Sequence, residues 1–382
     1  MTNSFTTVTQ TGFLSRIGNS IAGLFIGPIL IIGAIWLLSW NEGRAVQAIV
    51  GIGEAGKAVV EATGGAVNPA NETKLVHVSA PAQATDAIKD DDMNLSFDDQ
   101  VAVDRKAEMY QWKETKSETT HDNAGGSQTK TTTYKYDKVW SSDPIDSSSF
   151  KEKDGHENPE MKIKSKSFTA SDAKVGDFNL DSDTAGLLTL TDALKPTAPD
   201  GWTADGSTLN NGDKADPKVG DERITYTGLA KGATVSVLAR QTNGGFSPYT
   251  TTNGFKIDLA TVGNQPASAM LADKKKSEGV MTWLLRAGGF VLMLVGFMLF
   301  LGPLSVFASF LPFMGGLVRG AAFLAAFVVS IPLSLVVIAL SWIAFRPIVG
   351  IGLLVAAGVV GGVLWFFHRK RPMPAAAPAA AA

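Results

Sequence analysis

Residues 21–40 read IAGLFIGPILIIGAIWLLSW, twenty consecutive positions without a charged side chain. As a helix rising 1.5 Å per residue, such a run is roughly 30 Å long, the thickness of a bilayer's hydrocarbon layer. A cleavable signal peptide has a shorter apolar core followed by small residues at the cleavage site. Here Trp36 and Trp40 stand at the exit instead, and indole rings suit a membrane interface. The run is therefore read as an uncleaved anchor.

Charge follows the same division. All 36 Asp and Glu lie between Glu42 and Glu278, and 27 of the 34 Lys and Arg share that interval. The interval carries −9 and its flanks +7, so the overall −2 joins two chemically different parts. A single soluble globule is excluded, as is a nucleic-acid binder built on net basic charge. With no Cys and 4 His, disulfides, thiolate nucleophiles and Cys-based zinc sites are also excluded.

A second apolar region begins at Val280 and is too long for one span. Arg286, Arg319 and Arg346 punctuate it, and Gly302-Pro303 and Pro312 break it. The reading is three helices at 283–301, 321–345 and 348–367, with an interfacial segment at 302–320. Four spans put both termini on one side. Lys and Arg near the spans do not decide which side, because Lys274–Lys276 flank a long domain that translocates largely regardless of charge. The cluster His368-Arg369-Lys370-Arg371 is the clearest marker. It places residues 1–20 and the Pro/Ala-rich tail 368–382, read as disordered, in the cytoplasm. The spans hold no Asp, Glu, Lys or His, which weighs against ion-coupled transport and a channel. Gly23-x-x-x-Gly27, Gly316-x-x-x-Gly320 and Gly358-x-x-x-Gly362 could bring helices close. In Gly-rich spans, chance spacing is the preferred explanation.

Between the first two spans, residues 41–282 read as β-rich. Residues 41–65 have helical spacing weakened by Gly43, Gly51, Gly53 and Gly56, and suggest a short helix leaving the membrane. Alternation then predicts strands at 75–78, 101–103, 109–112, 131–136, 161–164, 224–227, 234–238 and 255–259. Turns are expected at Asn123–Gly126, Asn210–Asp213 and Asn243–Gly245, with a short helix within 181–194. Long helical crossovers are missing, so the sheet is expected to be antiparallel. The fold class is thus an α+β membrane protein. It has four transmembrane helices, one N-terminal and three C-terminal, and a large β-rich extracytoplasmic domain between the first and second.

Catalytic chemistry finds no constellation. His77, His121 and His156 lack metal-ligand spacing, and His77 reads as the polar face of a strand. Asp90–Asp92 and Asp98-Asp99 lack calcium-loop spacing and read as solvated acidic loop. Gly51-x-Gly53-x-x-Gly56 follows no strand and fails as a phosphate loop. The sequons at Asn71 and Asn94 are what chance supplies.

The chain resembles the transmembrane protein 43 family, also called LUMA. The residues that carry the likeness come in order. Phe13-Leu14-Ser15-Arg16-Ile17-Gly18-Asn19-Ser20-Ile21 enters the first span, and Asn41-Glu42-Gly43-Arg44-Ala45-Val46 leaves it. Glu108–Trp112, Gly155-His156-x-Asn158-Pro159 and Leu238-Ala239-Arg240-Gln241 follow. Met281–Ala287 and Phe345-Arg346-Pro347 close the set. The resemblance implies four spans, termini on the cytosolic or nucleoplasmic side, and a lumenal domain. Animal members are similar in residing in the endoplasmic reticulum and inner nuclear membrane. They associate with themselves, emerin and lamins. The family implies no catalytic residues and no cofactor. The Pro/Ala tail and the absence of Cys point to a bacterial member in an inner membrane, for which emerin and lamins are out of reach.

The expected function is a non-enzymatic, homo-oligomeric membrane scaffold acting through its extracytoplasmic domain on other membrane proteins, with the lipid bilayer as constant partner. The alternative is a lipid-binding or lipid-modifying protein. Its candidate interface contacts are Asn41, Glu42, Arg44, Arg286 and Arg346, where Arg side chains could meet lipid phosphates or simply snorkel. Glu42 could also pair with Arg44 or Arg286.

Overall fold

The computed structural model describes residues 4–309, 314–347 and 351. The span expected at 348–367 and the tail 368–382 lie outside the described residues. The chain divides into two compact units. One comprises Met1–Gly18, Gln47–Glu278 and Val306–Leu317; the other comprises Asn19–Val46, Gly279–Ser305 and Val318–Ala382.

The first unit is built on sheets that are antiparallel, as the missing crossovers predicted, except for one short parallel pair of Val60–Glu61 with Val76–His77. Its labelled strands are β1 (Ser4–Thr11), β2 (Leu75–Gln83), β3 (Gln100–Asp122), β4 (Gln128–Ser141), β5 (Glu222–Ala230) and β6 (Thr234–Thr242). One eight-stranded sheet runs β1–β4–β3–β5 and continues into the short strands Thr208–Asn210 and Thr203–Asp205. The other, seven-stranded, centres on β2 and β6, paired from Leu75↔Arg240 to Pro81↔Thr234. Val76 and Val78 of β2, Val101 and Val103 of β3, Ile224 of β5 and Val237 of β6 fall in one buried cluster. Alternation thus gives each sheet an apolar face and the two faces share a core.

Two of the three expected turns form; Asn210 instead ends the strand Thr208–Asn210, and a longer connection follows it to β5. Gly125 and Gly126 take φ of 80° and 79° between β3 and β4, and Asn243 and Gly244 take 51° and 73° after β6. Both are hairpin positions that require left-handed backbone.

Several expectations fail locally. Met161–Lys164 is not a strand. The N–H groups of Lys162 and Ile163 donate to Oε1 of Glu222 at 2.6 and 3.4 Å, which replaces a ladder with a side-chain bracket. The strand expected at 255–259 breaks at Asp258 into Lys256–Ile257 and Leu259–Val262. The helix in 181–194 is only Ser182–Ala185, capped by Asp181 accepting from the Thr184 N–H at 2.8 Å. His77 is buried rather than on a polar face. Its Nδ1 lies 2.5 Å from Glu61 Oε2 and its Nε2 2.8 Å from the Gln265 carbonyl oxygen. Asp90 is 1% exposed, not part of a solvated loop, and it binds Arg105 and Tyr226 in the core.

The helices are α1 (Phe13–Ala58), α2 (Ala267–Phe300), α3 (Gly302–Ala308) and α4 (Met314–Phe345). The separate short helix expected after the first span is instead a continuation of α1, which runs for 46 residues. Its glycines are used for packing. A Cβ on Gly51 would sit 2.5 Å from Cβ of Phe255, within the first unit. The interfacial segment read at 302–320 holds α3 and the start of α4. Among the described residues, α1, α2 and α4 are long and apolar enough to cross a membrane.

In the second unit, Gly23 and Gly27 are not chance spacing. A Cβ on Gly23 would lie 2.6 Å from the Leu299 carbonyl oxygen, and one on Gly27 2.6 Å from that of Gly296. Backbone meets backbone there, the use membrane helices make of small residues. Ala34, Leu38, Met293 and Val337 form the buried centre of this unit. Phe25, Ile29, Ile32, Trp36, Val328 and Leu335 are exposed, as lipid-facing side chains are.

Candidate functional site: a buried polar node among apolar helices

Helical spacing prepares this site. Thr282 and Arg286 are four residues apart on α2 and share a face, while Trp342 lies in the last turn of α4 and Arg346 directly follows that helix. Asn41 and Glu42 follow directly on the apolar run of α1. All belong to the second unit.

Glu42 is 1% exposed and is the centre. Arg286 donates Nε to its Oε1 at 2.7 Å and Nη2 to its Oε2 at 2.8 Å, a bidentate fork. Trp342 donates Nε1 to Oε2 at 2.6 Å. The guanidinium carbon of Arg286 lies 4.8 Å from the centroid of Trp283 and 5.9 Å from that of Trp342. Asn41, fully buried, donates Nδ2 to the Thr282 carbonyl oxygen at 3.0 Å, and Arg44 donates Nη2 to the Thr282 hydroxyl at 3.0 Å.

The five residues singled out in the sequence therefore separate. Asn41, Glu42, Arg44 and Arg286 meet in one node. Arg346 is tied instead to the end of α4 by its backbone, whose N–H donates to the Trp342 carbonyl oxygen at 2.6 Å. Of the two pairings open to Glu42, the structure makes the one with Arg286. Sequence reasoning missed Thr282 and Trp342. Thr282 stood inside the Met281–Ala287 stretch, and Trp342 was the indole one turn before Arg346.

The chemistry of the node is satisfaction of charge. A carboxylate and a guanidinium neutralise each other, an indole N–H takes a further lone pair, and aromatic faces cover the cation. Among the described residues, Asn41 Oδ1 is the acceptor of this node left buried without a hydrogen bond.

The first unit holds two other buried polar groups. Arg105 donates Nη1 to Asp90 Oδ1 at 2.5 Å, Nη2 to Asp92 Oδ2 at 2.8 Å and Nε to the Lys164 carbonyl oxygen at 2.9 Å. Tyr226 donates its hydroxyl to Asp90 Oδ2 at 2.7 Å, and burial beside that carboxylate raises the phenol well above its usual range. His156 is 4% exposed, stacked on Tyr136 at 4.0 Å and edge-on to Trp112 at 4.7 Å. Burial pushes the Tyr136 phenol up to about 12. Asn158 brackets Trp112, accepting from its N–H at 2.7 Å and donating to its carbonyl oxygen at 2.9 Å. These groups explain why the Glu108–Trp112 and Gly155–Pro159 stretches are distinctive: they pack on each other.

Apolar helices joined by one neutralised polar node, together with a sheet-built polar unit, define an integral membrane protein. The family described as Transmembrane protein 43 matches residues 109–347. Transmembrane protein 43 of Rattus norvegicus is 30% identical over 358 residues, covering 89% of this chain and 88% of the rat protein. The human protein is 29% identical over 361 residues, and the Drosophila melanogaster homolog 26%, covering 90% of this chain and 95% of its own length. The chain belongs to the transmembrane protein 43 family. No solved structure matches it.

Proposed function

We propose that this chain is a non-enzymatic membrane scaffold, anchored by its apolar helices and associating with itself and with other membrane proteins through its β-rich unit. The observation that carries the reading is the Glu42–Arg286–Trp342 node. Its one carboxylate accepts three hydrogen bonds from side chains of the same chain, which suits a fixed joint better than a reacting centre. The β-rich unit adds a surface on which assembly can be built, because among the described residues β1 is the outer strand of its sheet and pairs on one side only. An outer strand offers unpaired backbone groups to a partner strand. The lipid-handling alternative at Arg44 and Arg286 is less well supported. A lipid phosphate would have to displace Glu42 from the Arg286 fork.

The same reading places the protein in a bacterial inner membrane, on its Cys-free composition and Pro/Ala-rich C-terminus, with the β-rich unit facing away from the cytoplasm. Chemical crosslinking in native membranes tests the scaffold. Oligomeric or mixed products are expected, and monomer alone at every crosslinker length would sink the idea.

A further inference from the structure

A cavity of about 630 Å³ opens in the β-rich unit between three pieces of chain. The strand Leu259–Val262 gives one wall, the residues just after the short helix Ser182–Ala185 give a second, and the start of α2 gives the third. On α2 the lining residues are Met270, Asp273, Lys274 and Ser277, a spacing that puts them on one helix face. All of these pieces lie within residues 47–278, inside one compact unit. The volume is that of a small-molecule site.

The lining divides by chemistry. Leu187, Leu259 and Met270 are apolar, Asp258 and Asp273 are acids, and Lys274 is a base. Lys274 is already engaged: its Nζ lies 3.0 Å from Glu278 Oε1 and 5.8 Å from the centroid of Phe255. Asp258 is not. Among the described residues, its Oδ1 is a buried oxygen without a hydrogen bond. Burial raises its carboxyl above the ordinary value, and the charges of Asp181 and Asp183 raise it further. A carboxylate desolvated near other carboxylates is costly unless a cation joins it. A neutral side chain at this break between strands would avoid the cost, so packing alone does not account for the acid.

The chemistry of the lining narrows the cation. Among the described residues, no three His, Cys, Asp or Glu side chains are grouped to hold a metal ion. The apolar wall instead suits carbon beside the positive charge. We propose that this cavity binds an organic ammonium group, with the cation at Asp258 and Asp273 and its hydrocarbon body along Leu187, Leu259 and Met270. The inference does not rest on the scaffold reading, and none of these residues belongs to the Glu42 node. A soluble alkylamine and the headgroup of an aminophospholipid share this chemistry.

The test titrates the full chain, in the uncharged detergent dodecyl maltoside, with n-butylammonium and separately with n-butanol, and follows binding by ligand-detected NMR. The ammonium is expected to bind and the alcohol is not. Asp258→Asn should weaken the ammonium about tenfold, as loss of a hydrogen bond to a charged group does. Asp192→Asn, at an exposed acid elsewhere in the unit, should leave it unchanged. Leu187→Lys tests the same point without touching Asp258. Leu187 is 40% exposed, and a lysine there carries its own ammonium into the cavity. Probe binding should then be lost while circular dichroism shows the fold intact. No ammonium binding, equal binding of the alcohol, or ammonium binding unchanged in both Asp258→Asn and Leu187→Lys would overturn the proposal. So would a preference for calcium over butylammonium, since the cation would then be inorganic. Micelles doped with phosphatidylethanolamine or with phosphatidylglycerol separate the two sources. Competition by the first alone assigns a lipid headgroup, and competition by neither, with butylammonium still bound, assigns a soluble amine. Equal competition by both would count against an ammonium site.

Discussion

The two units solve the same problem with the same parts. In the β-rich unit, Asp90 is held by Arg105 and by the Tyr226 hydroxyl, and Arg105 lies 5.5 Å from the centroid of Phe168. Among the apolar helices, Glu42 is held by Arg286 and by the Trp342 indole, and Arg286 faces Trp283. Each is an Arg–carboxylate pair with one neutral aromatic donor and one aromatic face. The difference lies in what surrounds them. Arg105 has a second carboxylate, Asp92, whose side chain is 53% exposed, and a backbone carbonyl. Arg286 has Glu42, the acid that ends the apolar run of α1. A redundant pair bordered by water can lose a member and rehydrate; a single pair among apolar helices has little to fall back on.

That contrast can be broken most directly at Arg286. Arg286→Ala leaves Glu42 charged and buried, and a loss on the order of 3–5 kcal/mol is expected. Thermal unfolding of the full chain in detergent would measure it. The double variant Glu42→Gln with Arg286→Gln should recover much of the loss; if it is no better than the single change, the ion pair is not the source of the effect.

Arg105→Met is the matching cut in the β-rich unit. The expected cost is about 3 kcal/mol, because Asp90 stays buried while Asp92 turns to water. A cost larger than that of Arg286→Ala would reverse the comparison. Next in size is Gly27→Leu, which pushes α1 off the Gly296 backbone at no cost in charge. About 1–3 kcal/mol is expected from overpacking, with Gly33→Leu as the milder control, since a Cβ there meets only Leu292 at 4.0 Å. Trp342→Phe keeps the ring and removes one hydrogen bond to a carboxylate, about 1.5–3 kcal/mol. If it costs nothing, the indole covers the pair without stabilising it.

The smallest effect concerns an exposed carboxylate. Asp172 accepts from the Thr85 hydroxyl first, and then from the backbone N–H groups of Thr85 and Asp86 at 2.7 and 3.1 Å. Those bonds hold its pKa down at about 2, against 3.8 for the free side chain. A carboxylate with a depressed folded value contributes stability above the unfolded value and loses it as pH falls through the folded one. A small acid limb between roughly pH 4 and 2 is therefore expected, and Asp172→Asn should remove it in acid unfolding followed by circular dichroism.

How much of this could be read beforehand depended on range. The apolar run 21–40 and the alternation in 101–112 and 234–238 are local signals, and the elements formed there. Glycine-containing turns at 123–126 and 243–245 were equally local, because left-handed backbone selects its own residues. The node was half legible. Charged residues beside an apolar run stand out, so Asn41, Glu42, Arg44 and Arg286 were found, whereas Thr282 and Trp342 look ordinary in their own segments. Asp90 and His77 were misjudged for the same reason: a polar residue in a β-rich stretch reads as solvated unless its distant partner is known. Ser4–Thr11 also alternates, but the strand it pairs with, β4, lies more than a hundred residues further along the chain.

By itself, then, the amino-acid order determined which segments prefer lipid and which prefer water, since transfer free energy is a property of composition over twenty residues. It also determined where the chain turns and which stretches carry the family's likeness. Tertiary structure decided the rest. It chose Arg286 over Arg44 as the partner of Glu42, closed Gly23 and Gly27 onto α2, and laid β1 along β4. Each of these joins residues roughly a hundred or more positions apart, where no local propensity acts and where only packing and charge satisfaction in the folded chain select the partner.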